Sequence, residues 1–218
     1  MDQGIIITVD VVIFTLGDGG LEVVLQKREK EPYLGQLALP GGYIHAEEDV
    51  DSLAAAQRVL KDKTGLVSPY LEQLFTFSGG ARDPRGWSVS IAYYALVSND
   101  VLKLPGDTRF ALLPADGLPH LPFDHNCIID FAMDRLKNKS MYSALPCYLL
   151  PMAFTLTELQ QTYERVLGYK LDKSAFRRKI NELDFLEPMD EVRTGVHRPA
   201  QLYRIKPTRN LVIFNRTI

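Results

Sequence analysis

Cysteine is almost missing from this chain. Its 218 residues hold two, Cys127 and Cys147. One pairing stays open, but no disulfide framework can be built from them, and a reducing cytoplasm is the expected compartment. Long apolar runs are missing too. The longest, such as IIITVDVVIF, fall far short of the ~20 residues that a membrane span needs, so no membrane association is expected. The opening MDQGIIITVD has an acidic residue and no basic stretch, so no secretion signal is expected. Excess charge is also lacking, since the net value of −2 gives the chain as a whole no attraction for nucleic acid. What is present suits a globular protein. Apolar residues make up 46% and charged residues 24%, enough to build a core, and the length allows one large or two small domains.

The small net charge hides an asymmetry. Residues 1–145 carry 13 Lys and Arg against 19 Asp and Glu, or −6, while residues 146–218 carry 12 against 8, or +4. A basic C-terminal segment on an acidic body is expected where one domain meets phosphate backbones; a chance fluctuation in a short segment would look the same.

Patterning divides the chain at the same place. GIIITVDVVIFTLGDGGLEVVLQKR reads as a β-hairpin turning at residues 17–20. LALPGGYI reads as a short strand ending in a glycine turn. Helical spacing follows over DVDSLAAAQRVLKDKTG, with Val50, Leu53, Ala54, Gln57, Leu60 and Lys61 along neighbouring turns and Gly65 as its stop. LEQLFTFSG and WSVSIAYYALV are further strands, and Leu102 to Pro122 reads as loop with short edge structure. DHNCIIDFAMDRLKNK is an amphipathic helix with Cys127, Ile128, Phe131 and Leu136 on its apolar stripe. SMYSALPCYLLP, broken by Pro146 and Pro151, reads as the passage between domains 1–145 and 146–218. The interleaved strands and helices make the first domain mixed α and β.

One stretch, GGYIHAEEDVDSLAAAQRVLKDKTGL, begins like a metal-dependent pyrophosphatase site and then loses most of its carboxylates. The order strand, hairpin, LPGG, acidic stretch, helix and Gly-Leu resembles the Nudix hydrolase fold. That family's signature is G-x5-E-x7-R-E-U-x-E-E-x-G-U, where U is apolar. Gly42 and Glu48 match its start, and Arg58 to Leu66 overlay its second half. Nine residues rather than seven separate Glu48 from Arg58; the alternative register, with Ala56 and Gln57 at the Arg-Glu positions, fits worse. Carboxylates at these positions hold Mg²⁺, which neutralises a pyrophosphate and orients water. This chain has Val59 after the arginine, and Asp62 and Lys63 where the paired glutamates belong. Valine cannot ligate, and lysine puts a cation where the metal would sit. The resemblance together with these losses implies little or no hydrolysis, no catalytic residue and no metal. Glu47, Glu48, Asp49 and Asp51 could still be ligands, but an acidic run before a helix more often complements its dipole.

Other residues around this stretch suit a nucleotide. Arg82 and Arg85 flank a turn in ARDPRGWSVSIAYYALV, and guanidinium groups grip phosphates. Arg28 ends the second strand. Tyr33, Phe75, Phe77 and Trp87 are aromatics able to stack on an adenine. The candidate ligand-binding set is therefore Arg28, Tyr33, Glu48, Phe75, Arg82, Arg85 and Trp87. The plainer reading, surface ion pairs and core aromatics, stays open for each residue taken singly.

The C-terminal segment opens with Thr155-Leu156-Thr157-Glu158, a capping box. Leu156, Leu159, Tyr163 and Val166 form the stripe of a first helix, and Gly168 stops it. A second helix, KSAFRRKINELDFL, buries Phe176, Ile180 and Leu183 and keeps Lys173, Ser174, Arg177, Arg178 and Lys179 largely on its other faces, as a recognition helix in a major groove requires. Two β runs then turn near Gly195, with Arg193, His197 and Arg198 at the tip. This resembles a winged helix-turn-helix, and those eight polar residues are the candidate DNA contacts.

LPGG, ARDPRGWSVSIAYYALV and FRRKINEL…RPAQLYRI together resemble the NrtR family of Nudix-related transcriptional regulators. The resemblance covers nearly the whole chain. It implies an α+β protein: a Nudix-like α/β/α sandwich with a mixed sheet, then a winged helix. It further implies a cytoplasmic homodimer that represses genes of NAD metabolism, binds double-stranded operator DNA, and is released by ADP-ribose or a related NAD-derived nucleotide without any cofactor. The rival expectation is a Mg²⁺-dependent Nudix hydrolase of ADP-ribose or a related nucleoside diphosphate.

Overall fold

A computed structural model of the chain describes residues 4–68, 70–102, 109–193, 199–207, 211–215 and 217–218. The chain forms two compact units, 1–133 and 134–218. In the first, β1 (Ile6–Gly17) and β2 (Gly20–Lys27) make the expected hairpin, closed at Gly17 and Gly20. β1 also runs parallel to β6 (Ser88–Leu96), which pairs antiparallel with β5 (Tyr70–Gly79). β4 (Gly41–Tyr43) pairs with the first half of β1, while β3 (Leu37–Ala38) and β7 (Phe110–Pro114) pair with β2. The result is the mixed sheet expected of a Nudix-like unit.

Strand alternation sends Val9, Val11 and Ile13 of β1 to one face. There they pack with Ala55, Ala56, Val59 and Leu60 of α1 (Ser52–Thr64). Full burial of each large aliphatic side chain stabilises the fold by about 1.5–3 kcal/mol. The buried stripe of α1 differs from the one its spacing predicts, since Val50 is 93% and Leu53 40% exposed. Small alanines let the helix approach the sheet closely, so they, rather than the larger residues before them, face inward. The same shift occurs in α2 (His125–Ser140). Ile128, Ile129, Ala132 and Leu136 are buried, while Cys127 and Phe131 are exposed.

The second unit contains α3 (Leu156–Leu167), α4 (Lys173–Leu183), and the antiparallel hairpin of β8 (Leu186–Arg193) and β9 (Ala200–Ile205). The capping box forms as expected, with Thr155 Oγ1 accepting from Glu158 N at 3.2 Å and Glu158 Oε2 from Thr155 N at 2.8 Å. Gly168 ends α3 in the left-handed region. Leu159, Tyr163, Phe176, Ile180 and Phe185 share the core. The passage expected between domains is part of that core. Leu145 to Leu149 form a 3-10 turn with Leu145, Pro146, Cys147 and Leu149 buried. Tyr163 Oη donates to Ser143 O at 2.8 Å, and Ala144 N donates to Val212 O at 2.9 Å. These bonds draw residues 143–145, placed by the sequence in the first domain, into the second unit.

Candidate functional site

The first unit encloses a cavity of roughly 510 Å³, within the range of small-molecule sites. Its floor is Asp10, a carboxylate in the middle of apolar β1 and only 8% exposed. Gly41 makes room for it: a Cβ there would lie 2.1 Å from Asp10 Oδ1. Ser90 Oγ donates to Asp10 Oδ2. His125 Nε2 lies 3.8 Å from Oδ1. Leu39 N donates to His125 Nδ1 at 3.0 Å, which leaves the ring proton on Nε2, facing Asp10. Burial lowers the His125 pKa and holds the ring neutral.

Four arginines line the wall, Arg28, Arg58, Arg82 and Arg85, each held by the protein. Arg82 donates through Nε and Nη2 to Asp124 at 2.9 and 2.7 Å, and through Nη1 to Ser88 Oγ at 3.2 Å. Arg85 grips Asp83 through Nε and Nη2 at 3.0 and 2.7 Å and donates from Nη1 to Tyr43 Oη. That hydrogen bond to Asp83 raises the Arg85 pKa. Arg28 Nε donates to Pro32 O at 2.7 Å, and burial together with the neighbouring Arg85 charge lowers its pKa. The guanidinium carbons of Arg28 and Arg85 lie 4.8 and 6.0 Å from the Phe123 ring centroid, within cation–π range. Phe123 has φ 58° and Tyr33, whose ring meets it edge-on at 5.0 Å, has φ 66°. Such left-handed backbone is rare for bulky residues and gathers where function constrains the chain. Lys27, Lys30 and Lys63 also line the cavity and form no ion pair among the described residues.

The divalent cation implied by the fold family does not fit this donor set. Asp49 is gripped by Arg58 Nε and Nη2 at 2.8 and 2.7 Å, which holds its carboxyl down at about 2. Asp51 caps α1 by accepting from Ala54 N at 2.7 Å. Glu48 pairs with His45 at the surface, at 3.1 Å. Val59 is buried, its Cγ2 3.1 Å from where a Cβ on Gly42 would lie. Asp62 is the one member of the acidic box on the cavity wall, and Lys63 sits beside it. Among the described residues no three His, Cys, Asp or Glu side chains converge.

Of the seven ligand-binding candidates, Arg28, Arg82 and Arg85 meet at the cavity. Tyr33 lies outside the lining, edge-on to Phe123, and Glu48 is exposed and pairs with His45 at the cavity's edge. Phe75 lies elsewhere, clustered with Phe77 and Phe131 of α2 at 5.5 and 5.2 Å. Trp87 is half exposed at the start of β6 and lies outside the cavity lining. Asp10, Tyr43, Phe123 and His125 escaped sequence reasoning, as did Asp124, which holds Arg82. A lone carboxylate within IIITVDVVIF was the available signal for Asp10, because buried polar residues are the informative ones.

In the second unit, Phe176 and Ile180 are buried, while Lys173, Ser174, Arg177 and Arg178 are exposed and Lys179 is half-buried. Lys173 with Arg177, and Ser174 with Arg178, are one helical turn apart on the same side. Arg193 is tied back to α3, donating to the Glu158 carboxylate and to Ala153 O. His197 and Arg198 lie outside the described residues.

Comparison with known proteins extends this geometry. The family model described as the NUDIX domain matches residues 6–126, and that described as the NrtR DNA-binding winged helix domain matches residues 146–205. The chain is 41% identical to the ADPR responsive transcriptional repressor NtrR of Acinetobacter baylyi, over 91% of this chain and 81% of that protein. It is similar to the crystal structure of Shewanella oneidensis NrtR complexed with a 27mer DNA, with a TM-score of 0.91, 37% identity, and coverage of 97% of this chain and 99% of that one. The NUDIX domain of the same Shewanella protein complexed with ADP ribose matches with a TM-score of 0.55 and 39% identity, over 62% of this chain and 90% of that one.

Proposed function

The chain belongs to the NrtR family of Nudix-related transcriptional regulators, and on that premise we propose that it is a repressor. It binds operator DNA through its winged helix and lets go when ADP-ribose, or a related NAD-derived nucleotide, fills the cavity. The observation that carries this reading is the cavity itself, where Arg28 and Arg85 stand over Phe123, Arg82 is held beside them by Asp124, three lysines add positive charge, and one of these, Lys63, takes the place of a metal-binding anion. Fixed guanidinium groups meet a diphosphate by charge-assisted hydrogen bonds without any metal. The aromatic faces and the buried Asp10 suit a nucleoside, whose hydroxyls donate to a carboxylate.

Lys173, Ser174, Arg177, Arg178 and Lys179 enter the major groove, and Arg193, His197 and Arg198 meet backbone phosphates. A homodimer in the cytoplasm reads a palindromic site, and ADP-ribose, a breakdown product of NAD, points to genes of NAD metabolism as targets. The nucleotide is left intact, because Val59 and Lys63 occupy positions where metal ligands belong. The test is a gel shift with duplexes from upstream of NAD-metabolism genes. The duplex should bind at low salt, weaken steeply as salt rises, and be released by ADP-ribose. No shift at low salt, or a shift that ADP-ribose leaves unchanged, overturns the proposal. Mg²⁺-dependent cleavage of ADP-ribose at an ordinary enzymatic rate would favour the hydrolase reading.

A further inference from the structure

Three successive residues, Phe123, Asp124 and His125, each engage a different charged part of the cavity. Phe123 carries Arg28 and Arg85 near its face, Asp124 holds Arg82, and His125 faces Asp10. We propose that Asp124 holds Arg82 while the cavity is empty and is the group that the effector displaces. This rests on the reading of the cavity as a nucleotide site.

Arg82 has a side chain only 8% exposed, bonded to Asp124 and 4.0 Å from Asp10. Asp124 and Ser88 take three of its five N–H donors, leaving two on the terminal nitrogens. A phosphoryl group brought to those two places a third anion around one guanidinium, in a site that water screens poorly. One carboxylate must yield. Asp10 is tied to Ser90 and its side chain is 11% exposed, whereas that of Asp124 is 24% exposed and can turn to solvent.

Asp124 is also where α2 begins. Its carbonyl accepts the helix's first hydrogen bond, from Ile128 N at 3.1 Å, and it follows the left-handed Phe123. α2 is continuous to Ser140, and the residues after it are bonded within the second unit, with Phe214 N donating to Tyr142 O at 2.7 Å. Losing the Arg82–Asp124 pair therefore loosens the start of the helix through which the chain enters the DNA-binding unit. A ligand shifts such an equilibrium only by preferring one arrangement, and exchange of Arg82 from carboxylate to phosphate supplies that preference.

The experiment pairs calorimetry with ADP-ribose and operator titration on the full chain and on Asp124→Asn. The variant lacks the competing anion. It should bind ADP-ribose about tenfold more tightly and effector-free operator about tenfold more weakly, a coupling of ordinary size. A purely structural role would weaken both. In the unaltered protein, hydrogen exchange at the Ile128 and Ile129 amides should quicken when ADP-ribose is added, a reading that stands even if the variant fails to fold. If the unaltered protein binds no ADP-ribose, the reading of the cavity falls and this inference with it. If it binds, while Asp124→Asn matches it in both titrations or exchange at α2 stays level or slows, only the inference falls.

Discussion

The two candidate binding surfaces, the cavity of the first unit and helix α4 of the second, treat arginine in opposite ways. In the first, Arg82 and Arg85 are each clamped by a carboxylate, and Arg28 is held by a backbone carbonyl over an aromatic ring. In the second, Arg177 and Arg178 are exposed on α4 and form no ion pair among the described residues. The difference follows from burial. A guanidinium withdrawn from water must be partnered, and the partners fix its direction, which suits recognition of one small ligand. A solvated guanidinium needs no partner and keeps the freedom to meet a polyanion whose counterions it displaces. Arg193 stands between the two cases, exposed yet tethered to the cap of α3.

The contrast can be broken most severely in the second unit. Phe176→Ala removes a core ring that packs on Tyr163 at 5.5 Å. It should cost about 3–5 kcal/mol, abolishing operator binding while calorimetry still finds ADP-ribose bound. Arg177→Ala combined with Arg178→Ala should lower operator affinity by about 1–3 kcal/mol for each base-contacting arginine and flatten the salt dependence, with ADP-ribose binding unchanged in the same preparation. Arg85→Ala is the mirror experiment. It should weaken ADP-ribose by roughly 1.5–3 kcal/mol, the worth of a charge-assisted hydrogen bond, and leave effector-free operator binding intact in fluorescence anisotropy.

The smallest effect is on pH. Burial lowers the His125 pKa in the folded chain, so below the unfolded value of 6.5 the unfolded state binds more protons. Stability is therefore full above pH 6.5 and declines as pH falls towards the folded value. Thermal melts from pH 7.5 to 5.5 should show this decline, and a His125→Gln variant should show a shallower one.

Much of the architecture was legible locally. The hairpin at residues 17–20, the Thr155 capping box, the Gly168 stop and the buried Phe176 and Ile180 are written in neighbouring residues, because turns and caps form within a few positions of their signals. The degenerate box was legible as well, since Val59 and Lys63 replace ligands whatever surrounds them. The inward faces of α1 and α2 were read less well, because helical spacing alone cannot say which of two adjacent stripes meets the sheet.

The sequence by itself determined that two modules follow one another, that the first has lost metal-binding carboxylates, and that the second carries a basic helix. Only the tertiary structure decided which side chains make the cavity. Asp10, Arg82 and Asp124 are separated by 72 and 42 residues, and sheet pairing and the start of α2 bring them together. It also decided that Asp49 and Asp51 hold the loop and the helix cap, and that Phe75 and Trp87 lie outside the cavity lining. The physical reason is range. A cap or a turn is settled by hydrogen bonds between neighbours, whereas a charge buried among residues distant in the chain acquires its partners only once the sheet has closed.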